Sequence, residues 1–172
     1  MDHLWLKHYP AGVPHEIDTS IYRSVVDLLE ESMQKYADQP FSVCMDVWMS
    51  YRELEQRSRQ LGAWLQSLQL EPGARVAIML PNIPQFAVTM AAVLRAGYTC
   101  VNVNPLYTAR ELEHQLKDSG ATAIVILENF AHTLAEVLPR SGIRHICLTA
   151  MGDLLGPVYG RWITFAVRHL AK

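Results

Sequence analysis

Four apolar runs recur along the second half of the chain: RVAIML from Arg75, YTCVNV from Tyr98, ATAIVIL from Ala121 and HICL from His145. They open about 23 residues apart, room for one strand, one helix and two short connections. Parallel strands need crossovers of a dozen or more residues, usually helical, whereas antiparallel neighbours close with a tight hairpin. RVAIML and ATAIVIL are apolar almost without a break, as strands buried on both faces are. This rhythm constrains the fold more than any other feature. It predicts an α/β chain: a doubly wound, mostly parallel sheet with helices on both faces.

The connecting segments carry helix punctuation. NIPQFAVTMAAVLRAG reads as a helix with Asn82 as cap, Pro84 in the first turn and Gly97 as stop. TARELEHQLKDSG opens on a Thr108/Glu111 capping box and closes on Gly120. A short helix near 130–138 leads through Ser141-Gly142 to the fourth strand. Upstream, a helix starts after Ser24, with Asp27 three residues on as in a capping box, and carries Val25, Leu28, Leu29, Met33 and Tyr36. FSVCMDVWMS alternates and turns near Asp46, the mark of a small hairpin. Ser50/Glu53 then opens a helix over 51–68, with Leu54, Leu61, Trp64, Leu65 and Leu68 on one side. Residues 1–20 form an extended arm, broken by Pro10, Gly12 and Pro14. The expected organisation is arm 1–20, an α/β subdomain over 21–150, and a linker with an amphipathic basic helix over 151–172.

Composition narrows the function. The 172 residues are half hydrophobic, enough for one packed core. A net charge of -2 gives no electrostatic footprint for nucleic acid. Cys44, Cys100 and Cys147 sit in apolar runs with no metal or redox spacing, and read as buried reduced thiols of a cytoplasmic protein. The opening MDHLWLKHYPAGVPHE has no apolar h-region, and no run is long and apolar enough to span a bilayer.

In doubly wound sheets, ligands gather beyond the carboxyl ends of the strands. That rim comprises Pro81-Asn82, Asn104 to Tyr107 and Glu128-Asn129, which makes Asn82, Asn104 and Tyr107 the candidate binding residues. The segment Asn102-Val103-Asn104-Pro105-Leu106-Tyr107-Thr108 has a second reading as turn chemistry alone. Asn104 precedes proline and is pushed towards extended geometry, Pro105 ends the strand and Thr108 caps the helix. No G-x-G-x-x-G, Walker loop or G-x-S-x-G elbow is present. Glu111 and His114 form a lone E-x-x-H without a second copy, so they read as a solvated helix face. His132 and His145 are isolated, and no catalytic or metal residue is assigned.

The last twelve residues, RWITFAVRHLAK, are amphipathic at helical spacing. Trp162, Ile163, Phe165, Ala166, Val167 and Leu170 cover a broad face, and Arg161, Thr164, Arg168 and Lys172 fall opposite. Such a helix suits the headgroup layer of an anionic membrane surface, with Arg161, Trp162, Phe165, Arg168 and Lys172 as contacts. The competing reading is an amphipathic helix packed on the body of a protein.

The stretch ARVAIMLPNIPQFAVTMAAVLRAGYTCVNVNPLYTARELEHQLKDSGATAIVI resembles the N-terminal region of acyl-adenylate-forming enzymes, most of all bacterial long-chain fatty-acid–CoA ligases. LWLKHYPAGVPHEID, MSYRELEQRSRQLGAWL, NFAHTL and LTAMGDLL fit the same subgroup, so the resemblance covers essentially the whole chain. It implies a partial domain of a larger enzyme that joins a fatty acid to CoA at the expense of ATP with Mg, through an acyl-adenylate and pyrophosphate. The family's Gly/Ser/Thr-rich phosphate loop, aromatic-Thr-Glu motif, ribose-binding Asp and mobile lysine are not among these residues. The chain alone is therefore expected to be inactive and to bind none of these cofactors. The end inside a helical pattern also suits a fragment. The resemblance further implies a cytoplasmic location, peripheral contact with the inner face of the membrane, and a homodimer contact through residues 1–20. The alternative is a self-contained α/β nucleotide- or acyl-binding module without catalysis.

Overall fold

The computed structural model describes residues 3–170. Its core is a four-stranded parallel sheet of β3 (Arg75–Met79), β4 (Thr99–Asn102), β5 (Ala123–Leu127) and β6 (His145–Thr149), in the spatial order β4-β3-β5-β6. A separate antiparallel hairpin pairs β1 (Pro40–Cys44) with β2 (Val47–Ser50). The helices are α1 (Val25–Lys35), α2 (Tyr51–Ser67), α3 (Pro84–Arg95), α4 (Ala109–Ser119), α5 (Ala131–Val137) and α6 (Tyr159–His169).

The two apolar faces of the central strands explain the layers. Val76 and Ile78, with Leu80 just past the strand, alternate with Ala77 and Met79 along β3, and all five are buried. The first set joins Ala123, Val125 and Leu127 of β5 beneath Leu65 of α2 and Ala92 and Val93 of α3. The second joins Ile124 and Ile126 beneath Leu112 and Leu116 of α4 and Leu134 and Val137 of α5. Each buried Leu, Ile or Val side chain contributes about 1.5–3 kcal/mol relative to exposure, and both faces of β3 and β5 collect it. A third cluster, Met33, Met49, Leu54, Val88 and Ala91, fastens α1 and the hairpin to α2 and α3.

Local signals act as the sequence implies at most ends. Ser50/Glu53 and Thr108/Glu111 form complete capping boxes. Gly120 ends α4 at φ 63°, a left-handed conformation that glycine adopts without a Cβ clash. The hairpin turns on Met45 (φ 48°) and Asp46 (φ 61°), so two side-chain-bearing residues occupy the left-handed region a two-residue loop demands.

Four expectations are corrected. Asn82 does not cap α3: the N-cap is Ile83, which offers no side-chain oxygen, and the chain reaches it through a turn in which Ile83 N–H donates to Pro81 O at 2.8 Å. Ser24 Oγ accepts from Asp27 N–H, but the return half of that capping box is absent, because Arg23 takes the Asp27 carboxylate. The arm is not wholly extended, since Leu4–His8 form a 3-10 turn. The three thiols are free but only half-buried; burial still pushes Cys100 up to about 11 and raises Cys147 as well.

Candidate functional site

The strand order sets where a site belongs. From β3 the chain steps to one edge through α3, then returns through α4 on the other face to β5, beyond β3. The winding therefore reverses between β3 and β5, and a crevice opens beyond their carboxyl ends in sheets of this kind. Asn82 stands at the end of β3, Asn104 and Tyr107 beyond β4, and Glu128-Asn129 beyond β5, on three adjacent strands.

The rim candidates separate on inspection. Asn104 Oδ1 accepts from Leu106 N–H at 3.0 Å, and Tyr107 N–H donates to Asn104 O at 3.1 Å, so the Asn-Pro segment is an Asx-type turn closed on itself. The Tyr107 ring packs against the α4/α5 core. Gln115 of α4 donates to Asn102 O at 2.8 Å and ties the helix to the end of β4. Thr108 then supplies the cap, and its donation holds Glu111 below the usual carboxylate range. This segment positions α4. Asn82 and Asn129 are exposed, with no side-chain hydrogen bond among the described residues.

The rest of the rim is closed by the chain's own tail. Arg168 of α6 grips Glu128 through both carboxylate oxygens, its Nε lying 2.9 and 3.1 Å away. Hydrogen bonding to Glu128 raises the Arg168 pKa further above its ordinary value. Asp153 accepts from Ala150 N–H and Thr149 Oγ1, both at 2.8 Å, and Thr164 Oγ1 accepts from Gly152 N–H at 3.3 Å. Gly152 and Gly160 meet backbone to backbone, since a Cβ on either would collide with the other's carbonyl oxygen. Arg168, one of the expected membrane contacts, is thus ion-paired with Glu128 while its side chain stays more than half exposed.

The apolar side of α6 also divides. Ile163 is buried, whereas Trp162 is 60% exposed and Phe165 56% exposed. Tyr159 stacks on Trp162 with ring planes 14° apart, and Phe165 lies against His169. Arg161 is exposed and has no acidic partner among the described residues, while Lys172 lies outside them.

The residue that sequence reasoning missed is Gln85, in the first turn of α3. It is 5% exposed; its Nε2 donates to Ala150 O at 2.9 Å, and its Oε1 is buried without a partner. It lines a hollow of about 290 Å³ together with Arg57, Thr89, Cys147 and Asp153. Only its polarity within the apolar run IPQFAV signals it. Burial keeps the Cys147 thiol protonated, so the arrangement offers hydrogen bonds but no activated nucleophile. Glu111 and His114 are both exposed, and the described residues contain no group of three acids, histidines or cysteines fit to hold a metal.

A family model described as "AMP-binding enzyme" matches residues 29–156. The chain is 51% identical over 173 aligned residues to a long-chain-fatty-acid–CoA ligase of Escherichia coli O157:H7, covering all of this chain and 31% of that protein. It is 32% identical to the enzyme of the same name from Bacillus subtilis, over 88% of this chain and 27% of that one. Among solved structures, a long-chain-fatty-acid-CoA ligase from Archaeoglobus fulgidus shares the fold at TM-score 0.68 and 23% identity, over 92% of this chain and 32% of that chain. A benzoate CoA ligase from Burkholderia xenovorans does so at TM-score 0.69 and 21% identity, over 84% and 29%. The chain thus spans about a third of the length of the relatives it matches. With the matched segment running from α1 past β6 and so taking in the whole parallel sheet, the chain belongs to the AMP-binding enzyme family.

Proposed function

We propose that the chain is the N-terminal part of a long-chain fatty-acid–CoA ligase, which converts a fatty acid, ATP and CoA into acyl-CoA, AMP and pyrophosphate, with Mg accompanying the ATP. The observation that carries this is the 51% identity, sustained along the whole chain, to a ligase of that name. The residues present do not suit a triphosphate: the Glu128 carboxylate is taken by Arg168, and the rim presents no lysine or glycine-rich loop. No catalytic step is therefore assigned to them. Their part is the β3–β6 scaffold against which the reacting groups of a longer chain would be placed.

The test is a chimera that joins residues 1–172 to the remaining two-thirds of the Escherichia coli ligase. It should form acyl-CoA from palmitate, while the chain alone should show no palmitate-dependent pyrophosphate exchange. A folded but inactive chimera would overturn the proposal, and clear exchange by the chain alone would overturn the scaffold role. Saturable Mg-ATP binding by the chain alone would favour the self-contained module.

Two surfaces refine the reading. Tyr159, Trp162 and Phe165 of α6, with Arg161 beside them, are the lipid contact we propose for a cytoplasmic enzyme touching the inner face of the membrane. Support comes from their exposure and aromatic character, which suit the headgroup layer. No helix among the described residues is long and apolar enough to cross a membrane. The arm is the proposed homodimer contact: Leu4, Trp5 and Ile17 are exposed. Co-sedimentation with anionic vesicles should weaken in Trp162→Glu, and removal of residues 1–20 should shift the mass in solution from that of a dimer to that of a monomer. An unchanged result in either refutes that refinement.

A further inference from the structure

At the amino ends of the strands, opposite the rim, residues 68–74 and the starts of β3, β5 and β6 enclose a hollow of about 420 Å³. Thr122 N–H donates to Arg75 O at 3.0 Å, and Arg144 N–H donates to Thr122 O at 2.7 Å. Arg75, Thr122 and Arg144 therefore stand side by side on three neighbouring chain segments, at the spacing of about 4.8 Å between strands. All three line the hollow, with His145 next to Arg144 and Glu71 as the acid in the wall. Neither guanidinium has an acidic partner among the described residues. Between them, Thr122 Oγ1 is buried with no hydrogen-bond partner. A buried hydroxyl is normally satisfied, and two like charges that face one hollow across a single intervening segment repel.

We propose that this hollow is an oxyanion site for the phosphate group of a small soluble ligand, with Arg75 and Arg144 as flanking forks and the Thr122 hydroxyl as third donor. A phosphate monoester dianion has three terminal oxygens, enough for one at each guanidinium and one at the hydroxyl, and its two charges offset both arginines. A carboxylate has two oxygens and one charge, and satisfies fewer of these donors. The site lies at the opposite end of the strands from the rim, so its occupancy is separable from whatever the rim does.

The experiment is an amide NMR titration of the chain with inorganic phosphate at constant ionic strength, with acetate in parallel. Saturable shifts are expected at Gly73, Gly120, Thr122 and Arg144, with acetate much weaker. Each phosphate hydrogen bond to a charged donor carries roughly tenfold or more in affinity. Arg144→Gln and Arg75→Gln should therefore each raise Kd by at least about tenfold, and Arg144→Lys, which keeps the charge without the fork, should fall between. Arg110→Gln on α4 is the control and should change nothing. Glycerol 3-phosphate should reproduce the response. Shifts that fail to saturate, an equal response to acetate, full affinity in Arg144→Gln, or binding to phosphatidic-acid vesicles without binding to the soluble phosphates would each overturn the proposal.

Discussion

Gly160→Ala reverses the usual sign of a helix substitution. Inside an exposed helix, alanine for glycine stabilises by about 1 kcal/mol. Here the new Cβ would run into Gly152 O, a backbone atom with no rotamer to change. The helix α6 has to retreat. Retreat returns Ile163 to water, a loss of about 1.5–3 kcal/mol, and breaks the Gly152 N–H···Thr164 Oγ1 bond, about 1 kcal/mol more. After the helix-propensity gain, a net destabilisation of about 1.5–3 kcal/mol remains. Urea unfolding followed by far-UV circular dichroism measures it, and hydrogen exchange locates it. The α6 amides should lose protection while those of β3 and β5 keep theirs. A variant as stable as the parent, with α6 protection unchanged, would refute the close contact and with it the account of how the tail is held.

Thr108→Ala removes a capping box and should cost about 1 kcal/mol in thermal or urea unfolding. The folded-state pKa of Glu111 is depressed, so its contribution is present above the unfolded value and lost as pH falls through the folded one. The decline of Tm on acidification through the carboxylate range should accordingly be shallower in Thr108→Ala than in the parent. Asp46→Gly relieves a left-handed residue in the hairpin turn and should stabilise by about 1 kcal/mol; a loss of stability in a melt would contradict the turn geometry. Cys100, held up at about 11 by burial, should react with iodoacetamide at neutral pH far more slowly in the folded chain than after denaturation, as read by mass spectrometry.

What the sequence reveals is local. Ser50/Glu53, Thr108/Glu111, Gly120 and the apolar runs act over three to five residues or through strand burial, and each has the structure its pattern implies. The misreadings are of two kinds. Asn82 sits one position too early, because the chain turns at Pro81–Ile83 before α3 begins. The others are distant in sequence: Gln85 reaches Ala150, 65 residues on, and Arg168 reaches Glu128, 40 residues back. Amphipathic spacing alone placed Trp162 and Ile163 on one face, and the side of α6 that meets the body separates them. The Arg75–Thr122–Arg144 row is likewise visible only once β3, β5 and β6 lie side by side.

The strand order carries a consequence in time. β3 is an inner strand and pairs with β4 before β5 exists; the β3–β5 pairing then closes over the intervening α3, β4 and α4. During synthesis at roughly 5–20 residues per second, β5 follows β3 by about 2–10 s. A β3–α3–β4 unit must survive that interval with one face of its sheet bare, because Leu112 and Leu116 of α4 arrive only afterwards. Val76 and Ile78 gain their cover from α2, already made, and α3, next in line; Ala77 and Met79 wait. Of the two faces, the waiting one carries the smallest residue of β3 at its middle, Ala77, which limits the apolar surface a ribosome-bound intermediate shows to other chains.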